Sequence, residues 1–400
     1  MTGTMTVINA RIFDGVAARV VEGDIRIEDG VIAEIGPGLE PTGEVVDVRG
    51  DFITPGFIDN HFHAYGTSLD LMEMEASKLS LLAHLGARRL TRALHRGFTT
   101  VRDVAGGDIG LARAIDAGLF PSPRYYFTGP ALSQTGGHGD GRPAHLDMCM
   151  GHGGAHTVQV VDGVENLRVA VRERLRTGAH AIKIMTSGGV VSPTDPIRVP
   201  QYSAEEIAVV TAEAARRGSY VAAHAYSPEA IIHSVENGVR SIEHGNLLDR
   251  DSAQSMAERG AVLVPTLVTY FAMAEQGASL GMSEVALGKN AAVLESGKQA
   301  IEIAAAAGVV VGFGTDLMGS LESAQLRGLR IQHEVQGTLE LLRSLTSRNA
   351  DILQGPKVGR IQPGFAGDLV ILASDPFDDP SVLWSEGIPR RVVKAGVLIA

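Results

Sequence analysis

Short apolar segments alternate with helix-like segments through the middle of this chain, and this alternation limits the fold more than any other feature. The apolar segments resemble buried parallel strands, and most of them precede a stretch with helical periodicity. Eight such repeats predict an α/β fold, a (β/α)8 TIM barrel. The predicted strands are residues 57–62, 99–104, 125–128, 181–185, 220–225, 241–243, 262–265 and 309–313.

An open doubly wound sheet is the alternative architecture. A Gly-x-Gly-x-x-Gly motif after the first strand would favour it, and the sequence has none there. Both ends of the chain differ from the middle, because they contain short β-branched runs separated by turn residues. We therefore expect a small β-sandwich domain built from residues 1–54 and 357–400, and a barrel domain over residues 55–356.

Composition excludes several classes of protein. The chain has 35 Lys and Arg residues against 46 Asp and Glu residues, so its net charge is −11. This acidic balance argues against binding to nucleic acid or to an anionic membrane surface. Cys149 is the single cysteine, so an intrachain disulfide is excluded and a reducing compartment is indicated. With no signal peptide and no apolar run long enough to span a membrane, we expect a cytoplasmic protein.

Several predicted strands end in side chains that can bind a metal. The active site of a TIM barrel lies at the carboxyl ends of its strands, so these side chains should converge there. A lone histidine at a strand end is more often structural, but coincidence does not account for this many in one register. The six candidate metal ligands are His61, His63, Lys183, His224, His244 and Asp316.

The number and type of these ligands favour two metal ions. Nitrogen and oxygen donors suit divalent cations such as Zn²⁺, and six groups exceed what one tetrahedral zinc with an open position needs. A charged Lys183 would repel two cations, whereas its buried neutral amine could react with CO₂ to give an anionic carbamate that bridges them. Lys183 paired with an acid, or reaching solvent, is the structural alternative.

Four stretches of sequence carry a resemblance to a known family. Residues 55–63, Pro-Gly-Phe-Ile-Asp-Asn-His-Phe-His, resemble the opening of the amidohydrolase superfamily, and the later ligands resemble its binuclear, carboxylated-lysine subtype. Residues 359–370 resemble the family's return into the small β domain. Residues 132–140 and 182–196 are similar to the prolidase and arginine carboxypeptidase-like branch, which is related to imidazolonepropionase and to ochratoxin-hydrolysing amidases.

The resemblance implies a role for each candidate residue. His61, His63 and Asp316 would bind the more buried metal, His224 and His244 the more exposed one, and carboxylated Lys183 would bridge them. His138 and Tyr226 would lie near the substrate carbonyl or carboxylate, although both could equally be structural. A hydroxide between the metals would attack the amide carbonyl, and Asp316 would pass its proton to the leaving amine.

The implied activity is cleavage of Xaa-Pro or other dipeptides, or of N-acyl amino acids including ochratoxin-like compounds. Two alternatives stay open: a hydrolase of phenylureas, carbamates or cyclic amides on the same scaffold, and a non-catalytic scaffold. The only partners expected are the small-molecule substrate and further copies of the chain in a homo-oligomer. Specificity should come from the predicted loops after the strands, residues 128–161, 187–201, 266–289 and 317–333, with Arg142, Arg198 and Arg327 as candidate clamps for a substrate carboxylate. The apolar run over residues 267–273 favours core packing over an acyl pocket.

Overall fold

A computed structural model describes residues 3–143, 155–192 and 194–399. All eight predicted strands are present within one or two residues of the predicted bounds at most ends, and helices lie between them, which confirms the α/β class. These strands are Phe57–Phe62, Phe98–Asp103, Arg124–Phe127, Ile182–Met185, Val221–Ala225, Ser241–His244, Val262–Val264 and Val310–Val311.

The eight strands belong to two parallel sheets. The first three form one sheet in chain order, and the other five lie in chain order in a seven-stranded sheet. Backbone hydrogen bonds connect the two sheets on both sides: Asn60 N donates to Phe313 O at 3.0 Å, and His180 N donates to Phe127 O at 2.8 Å. Each bond joins a strand of the three-stranded sheet to a residue that flanks a strand of the seven-stranded sheet.

The segment predicted as a loop over residues 128–161 is only partly a loop. It contains the strands Ala131–Ser133 and Val158–Val160, which pair in parallel and join the edge of the seven-stranded sheet. Their three-residue length explains why the sequence pattern did not indicate them. Cys149 and the neighbouring histidines at 145 and 152 lie outside the described residues.

The segments predicted as loops after the last two strands are also largely helical. Residues 266–289 contain one complete helix and the start of a second, and residues 317–333 contain a 3₁₀ turn and the start of a long helix. Side chains cap the start of two other helices: Ser203 and Glu206 form a capping box, and Ser227 caps a helix that begins with Pro228. The helices are Leu71–Ala76, Leu79–His95, Ile109–Asp116, Val164–Arg176, Ala204–Arg216, Pro228–Glu236, Arg250–Glu258, Leu267–Gln276, Glu284–Leu294, Ser296–Ala306, Gln325–Arg343 and Asn349–Leu353.

Strands from both ends of the chain form a separate mixed sheet of eight strands. Phe52–Pro55, next to the parallel strand Phe57–Phe62, pairs in parallel with the N-terminal strand and antiparallel with Leu369–Leu372 near the C-terminus. This pairing joins strands from both ends of the chain within one sheet. The strands are Met5–Phe13, Val20–Glu28, Val31–Gly36, Glu44–Asp47, Phe52–Pro55, Leu369–Leu372, Arg390–Lys394 and Val397–Ile399.

The main apolar core lies between the parallel strands and the helices that cover them. Ile182, Ile184, Ala223, Ile242 and Leu263 all pack into one buried cluster. Successive side chains of a strand point to opposite faces. Lys183 and Glu243, which are neighbours of these residues in the sequence, therefore point away from this apolar layer. Across the described part of the chain, the helices are too short or too polar to cross a membrane.

Candidate active site

All six candidate metal ligands line one cavity at the carboxyl ends of the parallel strands. The strand register places them: Met185, two residues after Lys183, pairs with His224, and Ala225 pairs with His244. The four histidines and Lys183 are buried, and the side chain of Asp316 is 14% exposed. The structure therefore brings together all the residues that the strand-end argument selected.

The distances between these groups are short enough for shared ligation. His63 Nε2 lies 2.8 Å from Asp316 Oδ1, and His61 Nε2 lies 3.5 Å from the same oxygen. The centre of the His244 ring is 4.7 Å from the centre of the His61 ring and 4.5 Å from the centre of the His224 ring. One ligand atom each from His61, His244 and Asp316 lies within 4.8 Å of the others, so these three side chains could hold a metal ion together.

Hydrogen bonds to the outer edges of three rings determine which nitrogen faces the cavity. His61 Nδ1 is 2.8 Å from Glu243 Oε2, and His244 Nδ1 is 2.8 Å from Thr266 Oγ1. His224 uses the opposite nitrogen, because its Nε2 is 3.2 Å from Gly188 O. When the outer nitrogen carries the proton, the inner nitrogen presents a lone pair: Nε2 in the first two rings and Nδ1 in the third.

A buried ion pair supports His61 from behind. Glu243 accepts hydrogen bonds from Arg102 Nη2 at 2.7 and 2.9 Å, and both side chains are fully buried. Arg102 also donates to Asn60 O at 2.7 Å, in the strand that carries His61. The carboxylate of Glu243 is thus held by a guanidinium on one side and orients an imidazole on the other.

Lys183 is the clearest sign that a group belongs in the cavity. Its Nζ is buried and has no hydrogen-bond partner among residues 3–143, 155–192 and 194–399. Burial lowers the pKa of Lys183 to about 8, although Glu243 and Asp316 oppose that change. An unpartnered buried amine is costly, so its position fits a ligand that binds or modifies it.

The protonation of the other groups also fits cation binding. Burial lowers the pKa values of His61, His224 and His244 well below the ordinary range, so these rings are neutral near pH 7. Burial raises the pKa of Asp316, but its electrostatic interactions with His61, His63 and Lys183, together with the hydrogen bond to His63, outweigh this and the net shift is downward. Neutral imidazoles with an ionised carboxylate are a donor set for divalent cations such as zinc.

Two of the six residues have a strained backbone. The φ angles of His244 and Asp316 are 73° and 52°, in the left-handed region that residues other than glycine seldom adopt. The turn that carries Asp316 is held by the buried Asp59, which accepts hydrogen bonds from Thr315 Oγ1 at 2.6 Å and from Gln325 Nε2 at 3.1 Å. Strain at a polar cavity is typical of functional positions.

His138 and Tyr226 also line the cavity. The ring of His138 stacks on that of His224 at 4.1 Å, and its Nδ1 is 2.8 Å from Ser192 Oγ. The ring of Tyr226 stacks on His244 at 5.2 Å, and its hydroxyl is 2.8 Å from that of Tyr270. Both residues predicted to contact substrate are therefore adjacent to predicted metal ligands.

The rest of the cavity wall is mainly apolar, and the three candidate arginines are not part of it among the described residues. Arg142 binds Asp140 through two hydrogen bonds of 2.7 and 2.6 Å. Arg327 binds Glu275 at 2.5 and 2.6 Å, and Arg198 is exposed. The apolar lining residues are Leu71, Met74, Ala105, Val158, Met185, Val190, Val191, Met273 and Met318.

Sequence reasoning did not identify Arg102, Glu243, Thr266 or Tyr270. A signal was present for the first two, because each is a charged residue inside a strand that is otherwise buried, and opposite charges there must pair. Thr266 and Tyr270 begin a segment that was interpreted as a loop and an apolar core run. Its helix, Leu267–Gln276, places Tyr270 and Met273 on the cavity.

Comparisons with known proteins agree with this site. The sequence model of the Amidohydrolase family matches residues 52–399. Ochratoxinase from Aspergillus niger is 32% identical over 364 residues, which cover 86% of this chain and 75% of that protein. A crystal structure of a prolidase complexed with N-methylphosphonate-L-proline is 42% identical, has a TM-score of 0.94 and overlaps 99% of both chains. A Xaa-Pro dipeptidase with bound methionine is 28% identical, with a TM-score of 0.87, over 99% of this chain and 100% of that one.

Proposed function

The chain belongs to the amidohydrolase family and is a hydrolase that acts on amide or peptide bonds, and from this premise we propose that it cleaves dipeptides of the Xaa-Pro type or N-acyl amino acids, ochratoxin-like compounds included. One observation carries the proposal: five imidazoles, one carboxylate and a buried amine that has no hydrogen-bond partner among the described residues converge on a single cavity with an apolar wall. The related prolidase, dipeptidase and ochratoxinase support the choice of substrate class.

Two divalent cations, most simply zinc, are the proposed cofactors. His61, His63 and Asp316 would hold one, and His224 and His244 the other. We infer that Lys183 is N-carboxylated by CO₂ and bridges the pair, because its Nζ is buried without a hydrogen-bond partner among the described residues. When bound, these cations would lower the pKa of a water molecule and polarise the amide carbonyl.

The chain's own residues supply the proton transfers and the orientation. Asp316 accepts a proton from the attacking water on a carboxylate oxygen and delivers it to the leaving amine nitrogen. Tyr226 donates a hydrogen bond to the carbonyl oxygen. His138 can donate to the carbonyl oxygen only from Nε2, and this requires Ser192 Oγ to donate its proton to His138 Nδ1. Ser192 Oγ can instead donate that proton to Gly189 O, which lies 3.3 Å away. His138 Nδ1 would then carry the ring proton, and Nε2 could not donate. Tyr226 is therefore the stronger candidate.

The composition of the wall favours an apolar acyl group or N-terminal residue. Four of the lining residues are methionines, whose flexible thioethers adapt to bulky or aromatic groups. Asp316 is the only acidic group on the wall among the described residues, so a cationic side chain would lack a partner. We propose that substrates with an apolar residue on the acyl side are preferred over those with Arg or Lys there.

Four further proposals concern the architecture and the setting. The hydrogen bonds that connect the two parallel sheets support a closed (β/α)8 barrel over residues 55–356. The mixed sheet supports a small β domain, a sandwich, from residues 1–54 and 357–400. A homo-oligomer and a cytoplasmic location remain proposals from the sequence.

A substrate screen tests the proposed function. Zinc-loaded protein would be assayed for amino acid release from Phe-Pro, its matched partner Arg-Pro and N-benzoyl-phenylalanine, and for aniline release from phenylurea analogues. We expect the apolar dipeptide or the N-acyl amino acid to be hydrolysed, with Phe-Pro preferred over Arg-Pro. Turnover of the phenylureas alone would support the alternative hydrolase, and no turnover of any compound would refute the proposal.

Asp316→Asn is the matched control for that screen. The amide keeps an oxygen ligand and the shape of the side chain, but it cannot accept the proton. We expect most of the metal to remain bound while kcat falls by about 100-fold or more. A variant that hydrolyses substrate at nearly the parental rate would show that Asp316 does not transfer the proton.

A further inference from the structure

We propose that Thr266 and Tyr270 are positioning residues that orient the hydroxyl of Tyr226, so that its proton points into the cavity toward the substrate. The inference rests on the proposed function, because it concerns the same site. It adds two residues that lie outside the predicted metal ligands and act through a chain of hydrogen bonds.

Three hydrogen bonds in series, called here the hydroxyl relay, connect a predicted metal ligand to the cavity. His244 Nδ1 is 2.8 Å from Thr266 Oγ1, Thr266 Oγ1 is 3.3 Å from the hydroxyl of Tyr270, and that hydroxyl is 2.8 Å from the hydroxyl of Tyr226. Thr266, Tyr270 and Tyr226 are all at most 2% exposed. Bulk water therefore does not compete for these hydroxyl protons.

The protons of these hydrogen bonds can all point toward Tyr226 or all point toward His244, and the position of the ring proton on His244 selects between the two directions. Each hydroxyl has one proton to donate and lone pairs to accept with. If Nδ1 of His244 carries its ring proton, it donates to Thr266, Thr266 donates to Tyr270, and Tyr270 donates to Tyr226. The proton of Tyr226 then has no acceptor among these four hydrogen-bonded groups and is directed at the cavity.

The opposite direction removes that donor. If the proton were on Nε2 of His244, Thr266 would donate to Nδ1, Tyr270 to Thr266 and Tyr226 to Tyr270. The hydroxyl of Tyr226 would then face the cavity with lone pairs only. A cation held by Nε2 needs the lone pair of that nitrogen, so occupancy of the metal site sets the direction that makes Tyr226 a donor.

This direction matters for an amide hydrolase because negative charge develops on the carbonyl oxygen during attack. A preoriented donor stabilises that charge more than the neutral ground state, so its loss reduces kcat more than it raises KM. The apolar residues around Tyr226 strengthen the effect, because they exclude water that would otherwise screen the charge.

A double-mutant cycle tests whether Tyr270 acts through Tyr226. We expect Tyr226→Phe to lower kcat by about 100-fold and Tyr270→Phe by about tenfold, each with a smaller change in KM. In the Tyr226→Phe background, Tyr270→Phe should change kcat by less than about twofold. Independent, multiplicative losses would overturn the proposal, because they would show that Tyr270 acts without Tyr226.

Thr266 provides a matched pair of variants. Thr266→Val keeps the shape but removes the hydroxyl, and we expect it to reproduce the kcat loss of Tyr270→Phe. Thr266→Ser restores the hydroxyl and should return kcat to within about twofold of the parent. Equal losses of kcat in Thr266→Val and Thr266→Ser would contradict the proposal. Metal contents and melting temperatures equal to those of the parent protein would show that the fold of each variant is intact.

A readout that needs no turnover separates this proposal from the proposed function. In ¹⁵N NMR spectra of zinc-loaded protein, His244 should show a protonated Nδ1 whose proton exchanges slowly, and Thr266→Val should make that exchange faster. A ring protonated at Nε2 would overturn the direction of the hydroxyl relay even if the enzyme is active. Failure of the substrate screen with the expected NMR result would refute the proposed function and leave the hydroxyl relay standing.

Discussion

Glu243→Gln is the substitution that tests most fully how the fold supports the site. The carboxylate of Glu243 is fully buried between Arg102 and His61, with contacts of 2.7 and 2.8 Å. The amide keeps the volume but loses the charge, so the Arg102 guanidinium stays buried without a counter-ion. Removing one partner of a buried ion pair costs about 3–5 kcal/mol of folding free energy. The neutral amide is also a weaker acceptor for His61 Nδ1 than the carboxylate, so metal binding should weaken by about 10- to 100-fold.

Two assays separate these effects. Urea unfolding of the metal-free protein measures the stability loss, and competition with a chelator measures zinc affinity. The double variant Arg102→Met with Glu243→Leu removes both charges, so it should recover part of the stability. It should not recover zinc affinity, because leucine provides no acceptor for His61 Nδ1. If Glu243→Gln unfolds like the parent and binds zinc within about twofold of it, the reasoning is wrong.

Three further predictions test other parts of the structure. Lys183→Ala should lose zinc, measured by elemental analysis, and a short carboxylate such as propionate should restore it; full zinc content without rescue would exclude the carbamate bridge. A Cβ at Gly189 would lie 2.1 Å from the ring of His138, so Gly189→Ala should lower kcat/KM by about 100-fold, whereas Gly288→Ala, with open space around it, should not. Arg172 is the main cause that lowers the pKa of Glu213 to about 2. The stability that this shift provides is fully present above the unfolded pKa of about 4.3 and is lost as pH falls toward 2. The difference in unfolding free energy between the parent and Glu213→Gln should therefore shrink over that range, and a difference that does not change with pH would contradict the ion pair.

The strand-end histidines show what the sequence could predict. His61 and His63 are two residues apart in one strand, so a period of two places both on one face. Lys183 is a cation within an apolar strand, and Asp316 follows the last predicted strand. Each of these positions depends on local pattern alone, and the fold then brings them together because the carboxyl ends of parallel strands lie on the same side.

Other features depend on contacts between distant segments, and local pattern does not encode them. Arg142 and Arg327 had the right chemistry for a substrate clamp, but Asp140 and Glu275 occupy them in the folded protein. Tyr270 lies in an apolar run that is compatible with core packing, and only the direction of its helix places the hydroxyl on the cavity. The hydroxyl relay behind Tyr226 depends on the same tertiary arrangement.

The most direct test of the central claim is the metal content of the protein after loading with zinc and removal of unbound metal. The six side chains that line the cavity should hold about two zinc ions per chain by elemental analysis. Replacement of His61 and His224 together by alanine, one residue from each proposed metal position, should remove both. A parent protein that holds no zinc, or a double variant that holds as much as the parent, would contradict the proposed metal centre.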